Sequence, residues 1–211
     1  INIPTGIFRG FENIGSNYGM IMAILGGDDA GGGVTWAPEV IKDAAEHGLI
    51  LGENGRLYDS KKGEVLPESL KPMPLLSNDF LAQIPEPKAK KLVPRYVARY
   101  NDLMAFAAHE PVQVIGEQGI LPDKPGFNID FLTRSPALKV SESFENSAVL
   151  MPMRGHWKLS WEGGNVVLNP GDTCLLESGF SHRIEPSVTG EASLYRILSN
   201  EDPAGPTWVG N

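Results

Sequence analysis

The chain has 211 residues, of which 41% are apolar and 21% charged, and its formal net charge is −8 at pH 7. These values are typical of a globular protein with one sizeable core, and the acidic balance excludes the positive field that nucleic-acid binding requires. The single cysteine, Cys174, excludes an intrachain disulfide and cysteine-based metal sites and favours a reducing, cytoplasmic location, and no apolar run is long enough to span a membrane.

Residues 1–26 alternate apolar residues with polar or small ones and then enter the apolar run MIMAILGG. This pattern predicts two strands joined by the turn IGSNYG at residues 14–19. Arg9 and Glu12 interrupt the apolar pattern, so the stretch does not have the form of a secretory signal. Because the chain does not begin with methionine, we expect further residues upstream of Ile1 in the intact protein.

Residues 27–128 are predicted to be a linker with a helical insertion. In WAPEVIKDAAEHG, Pro38 suits the first helical position and Gly48 a C-terminal stop, which together predict a short amphipathic helix. Proline-rich segments at 71–76 and 84–94 are expected to run along a surface. We expect the insertion to bridge neighbouring domains or to mediate dimerisation. The other predicted features are the loop GGDDAGGG at 26–33, a tight turn at 53–59, a helix at 77–84 capped by Ser77 and a helix at 95–108.

From about residue 129 to 198 the chain changes to short apolar stretches at close spacing. WEGGNVVL places a Gly-Gly turn between two of them, which is a strong hairpin signal. Many short strands with Gly and Pro turns predict a mainly β fold, as a small barrel or a sandwich. The turn-rich tail DPAGPTWVGN is expected to pack Trp208 on a surface. The predicted strands are FNIDFLT, ALKVSESF, SAVLMPM, those within HWKLSWEGGNVVLNPGDTCLLE, HRIEP and ASLYRILS.

The N-terminal stretch matches a C-terminal one when it is shifted by 173 positions without a gap. The aligned pairs are Gly6 with Gly179, Arg9 with His182, Asn13 with Pro186, Ile24 with Ile197, and Leu25 with Leu198. Residues 1–26 are therefore interpreted as the closing strands of a unit whose complete copy occupies about 129–198. The alternative is a chance likeness between two glycine-rich strand–turn–strand segments.

The C-terminal copy resembles the second conserved motif of the cupins, which reads Gly, five residues, Pro-x-Gly, two residues, His, three residues, Asn. In this chain the matching positions are Gly171, Glu177, Gly179, His182 and Pro186. The N-terminal copy keeps the Pro, Gly and Asn of the motif but has Arg9 where the family has its His. The resemblance implies a bicupin with two cupin-type β-barrels (jelly rolls). It divides the chain into the closing strands of a first barrel (1–26), a linker with a helical insertion (27–128) and a second barrel with a C-terminal tail (129–211).

The resemblance also implies a divalent metal, such as iron, manganese or nickel, held by three His and one Glu. His182 is the family-matched ligand in this chain. The first cupin motif should lie within KVSESFENSA, which has no His. Only Glu142 and Glu145 in this stretch could bind a metal, and the family's Glu position falls near Ala148. The main metal site is therefore expected upstream of Ile1. The alternative for His182 is a pocket or core histidine that is hydrogen-bonded.

His156 begins a predicted strand, and it is a candidate to point inward and form a metal-binding or substrate-binding pair with His182. Arg9 removes a metal ligand from the first barrel, because a guanidinium cannot ligate, but it could bind a substrate carboxylate bidentately. Alternatively, Arg9 reaches solvent or pairs with Glu12 or Asp28. Further Arg candidates of the same type are Arg154 and Arg183. No catalytic residue is assigned.

Two functional hypotheses follow from the resemblance. In the first, the protein is a metal-dependent oxidoreductase of the dioxygenase type that acts on a small anionic aromatic or dicarbonyl compound, with a degenerate downstream barrel and Arg9, His182 and His156 as substrate contacts. In the second, it is a non-catalytic module that binds a small ligand or dimerises. Both hypotheses need an upstream segment or a second chain to complete the first barrel, because partial barrels expose unpaired strand edges. A homodimer is also expected.

Overall fold

The computed structural model describes residues 1–3, 7–25, 35–84, 96–121, 126–135, 138 and 141–200. The predicted loop at 26–33, nearly all of the proline-rich segment at 84–94 and the tail with Trp208 lie outside these residues. The chain divides into two compact units. The smaller unit takes in described residues 7–22 and 35–84, and the larger one takes in residues 1–3, 23–25 and the described residues from 96 to 200.

The smaller unit holds a helix and a hairpin close together in sequence. Its first helix begins at Pro38 and is followed by Gly48 in the left-handed conformation, with φ at +85°, which confirms the predicted start and stop. Ser77 caps the second helix by accepting a hydrogen bond from the Phe80 amide at 3.2 Å, as predicted. The elements are α1 (Pro38–Glu46), β1 (Leu49–Leu51), β2 (Leu57–Asp59), a 3₁₀ turn (Ser60–Lys62) and α2 (Asn78–Leu81), with β1 and β2 paired antiparallel.

Residues 7–25 form neither a strand nor a helix, so the two strands predicted there are not formed. The predicted turn is present, because Asn13 donates to the Asn17 carbonyl at 2.7 Å and accepts from the Gly15 amide at 3.0 Å. A strand needs a partner for its backbone N–H and C=O groups, and none of the described strands pairs with this segment. Its large apolar side chains are consequently exposed, among them Phe11, Ile14, Tyr18, Met20, Ile21, Met22 and Leu25.

The larger unit is mainly β. Most of its strands begin within one residue of the predicted stretches, but the four-residue strand before residue 116 was not predicted, and the helix expected at 95–108 is shorter. Within the described part of the predicted strand ALKVSESF, at 138 and 141–144, Glu142 forms a single bridge to His182. The elements are α3 (Tyr100–Phe106), β3 (Val112–Ile115), β4 (Phe127–Thr133), β5 (Ala148–Arg154), β6 (Trp157–Trp161), β7 (Gly164–Leu168), β8 (Cys174–Leu176), β9 (Arg183–Pro186) and β10 (Ser193–Ser199).

These strands form two antiparallel sheets, with the orders β3-β4-β10-β5-β8 and β7-β6-β9. Alternate residues of each sheet face a shared apolar core, because side chains on a strand point to opposite faces in turn. Trp157 is fully buried in this core, and its indole N–H donates to the Ser193 carbonyl at 3.2 Å. Other core residues are Leu132, Leu150, Leu176 and Leu194 from the large sheet and Leu159, Leu168 and Ile184 from the small sheet.

Helix α3 covers part of the opposite face of the large sheet. Leu103 of the helix and Ala107 at its C-cap are buried in a second apolar cluster that includes Phe131 and Ile197. The ring of Tyr100 meets Phe131 edge-on, with centroids 5.7 Å apart. Strands β4 and β10 are therefore covered on both faces, by the core between the sheets on one side and by the cluster with helix α3 on the other. A charged side chain on their inner face has little access to water.

Candidate functional site

His182 lies immediately before β9, within the sequence motif that runs from Gly171 to Pro186. Gly179 supports the preceding turn, since its φ of +74° suits glycine and its amide donates to the Phe144 carbonyl at 2.8 Å. His182 and Glu142 then exchange two backbone hydrogen bonds, of 2.7 and 2.9 Å. These bonds hold the imidazole in the interior, where the residue is only 2% exposed.

The hydrogen bonds of the His182 ring define its tautomer. Nδ1 lies 2.9 Å from the carbonyl oxygen of Phe180, which can only accept a hydrogen bond, so Nδ1 carries the proton. In the neutral ring Nε2 is then the acceptor and has a free lone pair. This Nε2 atom is buried and has no hydrogen-bond partner within the part of the chain that the structure describes. An unpaired buried acceptor of this kind can bind a metal ion or accept a hydrogen bond from a ligand.

Aromatic rings run from the surface to His182. Phe144 lies 5.6 Å from the imidazole, and Phe180 lies 6.0 Å from it with the two ring planes only 14° apart, all distances being between centroids. Trp161, which is 37% exposed, lies a further 6.0 Å from Phe180. We call Trp161, Phe180, His182 and Phe144 the aromatic strip. It leads from a solvent-accessible indole to a buried imidazole.

A buried ion cluster borders the aromatic strip. Arg196 on β10 is 7% exposed, and its guanidinium lies 4.8 Å from the centre of the Phe144 ring. It donates to Asp130 on β4, with Nη2 to Oδ2 at 2.8 Å and Nε to Oδ2 at 3.1 Å, and through Nη1 to Oε2 of Glu142 at 2.6 Å. The cluster of one guanidinium and two carboxylates carries a formal charge of −1, and its Arg is already engaged by protein carboxylates.

Sequence reasoning missed Arg196 and considered other arginines. The available signal was the stretch SLYRILS, in which Arg196 shares a strand face with Leu194 and Leu198. Asp130 occupies the corresponding apolar-facing position of FNIDFLT, and the two residues are directly opposite in the β10–β4 register. A charged residue at a core position of each of two predicted strands indicates a buried ion pair.

The structure does not bring the predicted site residues together. His156 is exposed, and its carbonyl accepts from the Ser187 amide at 2.8 Å, which puts it at the far end of the β6–β9 ladder from His182. Five strand residues separate the two positions, or about 16 Å. The expected pair of His156 and His182 is therefore not formed, because both residues are fixed by the backbone register. Arg9 is exposed in the irregular segment at 7–25.

The other arginine candidates are engaged at the surface. Arg154 pairs with Glu191 and lies over the ring of Tyr100, and the hydrogen bond with Glu191 raises the pKa of the Arg154 guanidinium. Arg183 pairs with Glu185 at 2.7 Å, and both side chains are more than a third exposed. Neither arginine joins the cluster around Arg196.

The donor set around His182 does not fit the four-ligand metal site that the cupin resemblance implies. No group of three or more His, Cys, Asp or Glu side chains that could hold a metal occurs among the described residues. Oε2 of Glu142 is occupied by Arg196, Glu145 is exposed, and Ala148 is a buried apolar residue at the family's Glu position. A single imidazole holds a metal weakly.

Cys174 on β8 is half-buried and packs against the core between the sheets. Burial raises the pKa of its thiol, so less thiolate forms near neutral pH. Cys174 is therefore a packing residue of the core rather than a reactive thiol.

No family model and no curated protein matches the chain. Among solved structures, a cupin-2 domain protein from Shewanella frigidimarina is 15% identical with a TM-score of 0.39, covering 49% of this chain and 95% of that one. A cupin superfamily protein from Desulfitobacterium hafniense is 14% identical with a TM-score of 0.35, covering 44% and 81%. Fe(II) HppE is 17% identical with a TM-score of 0.31, and the match covers 35% of this chain and 43% of the HppE chain. Likeness at this level does not extend to ligand or activity.

None of the helices in the described ranges is long and apolar enough to cross a membrane.

Proposed function

We propose that the larger unit is a jelly roll of the cupin type. Eight strand segments follow β3 when the bridge at Glu142 is counted with β4 to β10. Numbered from β4 as the first, with the Glu142 bridge as the second and β5 to β10 as the third to eighth, they form two rows. In the large sheet β4-β10-β5-β8 has the order 1-8-3-6, and in the small sheet the bridge with β9-β6-β7 has the order 2-7-4-5. This is the strand order produced by the two Greek keys of a jelly roll. The double-barrel architecture predicted from the sequence repeat remains part of this proposal.

We further propose that this jelly roll binds a small organic molecule at His182 and holds no metal through its own described residues. The observation that carries this function is the buried, unpartnered Nε2 atom of His182 at the inner end of the aromatic strip. Ligand sites in proteins are commonly lined by apolar and aromatic side chains with a few placed polar groups, and this site has that composition.

A metal-dependent oxidoreductase of the dioxygenase type is the second candidate function. His182 stands at the motif position of a cupin metal ligand, and its Nδ1–H bond to Phe180 presents the lone pair of Nε2 as a metal ligand requires. In this candidate the iron, manganese or nickel is held chiefly by residues upstream of Ile1, and Arg9 contacts a small anionic aromatic or dicarbonyl substrate. The metal, when bound, would supply oxygen activation.

Metal analysis tests whether His182 holds a metal in this chain. The full chain is purified, exposed in turn to Fe(II), Mn(II) and Ni(II), freed of loose metal by gel filtration and analysed for its metal content. We expect less than about a tenth of an equivalent, because one imidazole binds weakly. About one equivalent that is lost in His182→Ala but kept in His156→Ala would overturn the metal-free assignment and support the oxidoreductase.

We also propose that residues 7–25 pair with strands of an upstream segment or of a second chain. The support is the set of exposed apolar side chains on both alternating faces of YGMIMAIL, which is typical of a strand buried on two sides. The expected homodimer and the cytoplasmic location remain predictions. Light scattering after gel filtration tests the dimer, and a monomer at micromolar concentration would contradict it.

A further inference from the structure

The aromatic strip and the ion cluster together restrict which small molecule the proposed site accepts. A buried acceptor without a partner carries a desolvation cost that a donor group on a ligand removes. Nε2 of His182 is such an acceptor, and its tautomer is fixed by the Nδ1–H bond to the Phe180 carbonyl. The complementary ligand atom is therefore an O–H or N–H group.

The surroundings of His182 select the shape of the ligand. Phe144 and Phe180 both lie within 6.0 Å of the imidazole by ring centroids, and the Phe180 plane is nearly parallel to that of His182. Aromatic faces and edges at these distances favour a flat ring, which gains contact area in stacked or edge-on arrangements. Trp161 extends the same aromatic strip toward solvent.

The charge beside the site selects against anions. Arg196 is the buried cation nearest the strip, but Asp130 and Glu142 already accept its hydrogen bonds at 2.6 to 3.1 Å. A ligand carboxylate would have to displace one of them or lie beside a cluster with a formal charge of −1. The structure therefore gives no support to the anionic substrate expected from the sequence.

We propose that the site takes an uncharged planar ring bearing an O–H or N–H donor, which donates to Nε2 of His182 while the ring lies against Phe180 and Phe144. This inference rests on the proposed small-molecule-binding function and names the ligand class for it.

The experiment uses three probes that share a phenyl ring. Phenol carries the donor, anisole lacks it, and benzoate carries a negative charge. Each is titrated into the ¹⁵N-labelled full chain, and the imidazole ¹⁵N resonances are followed, because the shift of Nε2 reports directly on a hydrogen bond at that atom. The variant is His182→Phe, which keeps a ring but removes the acceptor, and the matched control is the exposed His156→Phe.

We expect phenol to bind about tenfold more tightly than anisole, the ratio that one buried hydrogen bond supplies, and benzoate to bind more weakly than phenol. Phenol should also move the Nε2 resonance of His182. The preference should vanish in His182→Phe and persist in His156→Phe. The comparison of phenol with anisole on the unaltered chain stands even where His182→Phe does not fold.

Three results would each overturn the inference while leaving a small-molecule site in place. They are equal binding of phenol and anisole, tighter binding of benzoate than of phenol, and a preference for phenol over anisole that survives in His182→Phe. A different result would overturn the small-molecule function itself and favour the metal-dependent candidate. In that result none of the three probes shifts a His182 resonance, whereas Fe(II) or Co(II) does.

Discussion

Replacing Arg196 with methionine tests the central electrostatic feature of the larger unit. Met keeps much of the side-chain length but removes the charge, which leaves the carboxylate of Asp130 with 13% side-chain exposure and no cation. Breaking a buried ion pair from one side costs about 3–5 kcal/mol. Glu142 adds little to this cost, because its side chain is 35% exposed and can turn to water. We expect Arg196→Met to lower the free energy of unfolding by about 3–5 kcal/mol.

The double variant Arg196→Met with Asp130→Asn separates the loss of a charge partner from the loss of packing. An unpaired buried amide costs about 1–3 kcal/mol, less than an unpaired carboxylate, so the double variant should be more stable than Arg196→Met alone. The control is Arg183→Met, whose exposed pair with Glu185 contributes at most about 1 kcal/mol. The double variant also provides a readout if Arg196→Met does not fold.

Urea-induced unfolding at pH 7, followed by tryptophan fluorescence and far-ultraviolet circular dichroism, measures these differences. The fully buried Trp157 reports on the larger unit, and because the chain has two units, only coincident transitions are converted to free energies. If Arg196→Met lowers the free energy of unfolding by less than about 1 kcal/mol, the pair of Arg196 with Asp130 contributes no more than a surface ion pair, and the reasoning is refuted. A double variant less stable than Arg196→Met would refute it equally.

Three further predictions concern other residues. Leu150→Ala should cost about 2–5 kcal/mol because Leu150 is fully buried, whereas Leu175→Ala, 65% exposed on the neighbouring strand, should cost less than about 1 kcal/mol; equal losses in urea unfolding would contradict the two-sheet core. Burial raises the pKa of the Cys174 thiol, so iodoacetamide should alkylate it more slowly at pH 8 than it alkylates a free cysteine. The stability linked to this thiol is fully present below the thiol pKa of the unfolded chain and should be lost as the pH rises through the pKa of the folded chain. Burial, and then the charge of Tyr100, raise the pKa of Tyr195, so an ultraviolet titration should show a late-ionising phenol that Tyr195→Phe removes; an unchanged titration curve would exclude this assignment.

The sequence predicts elements best where a local signal is sufficient. The Gly-Gly turn of WEGGNVVL gives the β6–β7 hairpin, with Gly163 at a φ of +89°, because only the turn itself must adopt that conformation. Helix α1 follows likewise from Pro38 and Gly48. The turn before His182 has a local hydrogen bond as well, from the Phe180 amide to the Glu177 carbonyl at 3.1 Å, although the bonds that hold the imidazole inside come from the distant Glu142.

Prediction fails where a partner distant in sequence decides the outcome. Residues 7–25 have the alternation of strands but lack a neighbouring strand within the described chain, so the pattern alone does not produce one. The sequence makes His156 a candidate to point inward, but the β6–β9 register places it far from His182. Arg196 was overlooked because its partners Asp130 and Glu142 lie 66 and 54 residues away, and only the fold shows that they meet.

Strand β10 has a consequence for how the protein is made. It is the last strand among the described residues, yet it lies in the middle of the large sheet and pairs with β4 along seven residues and with β5 along six. During synthesis the ribosome therefore releases β4 and β5 while the space between them is still empty. The sheet is completed only after Ser199 has left the exit tunnel, so the nascent larger unit depends until then on local hairpins and on protection from association with other chains.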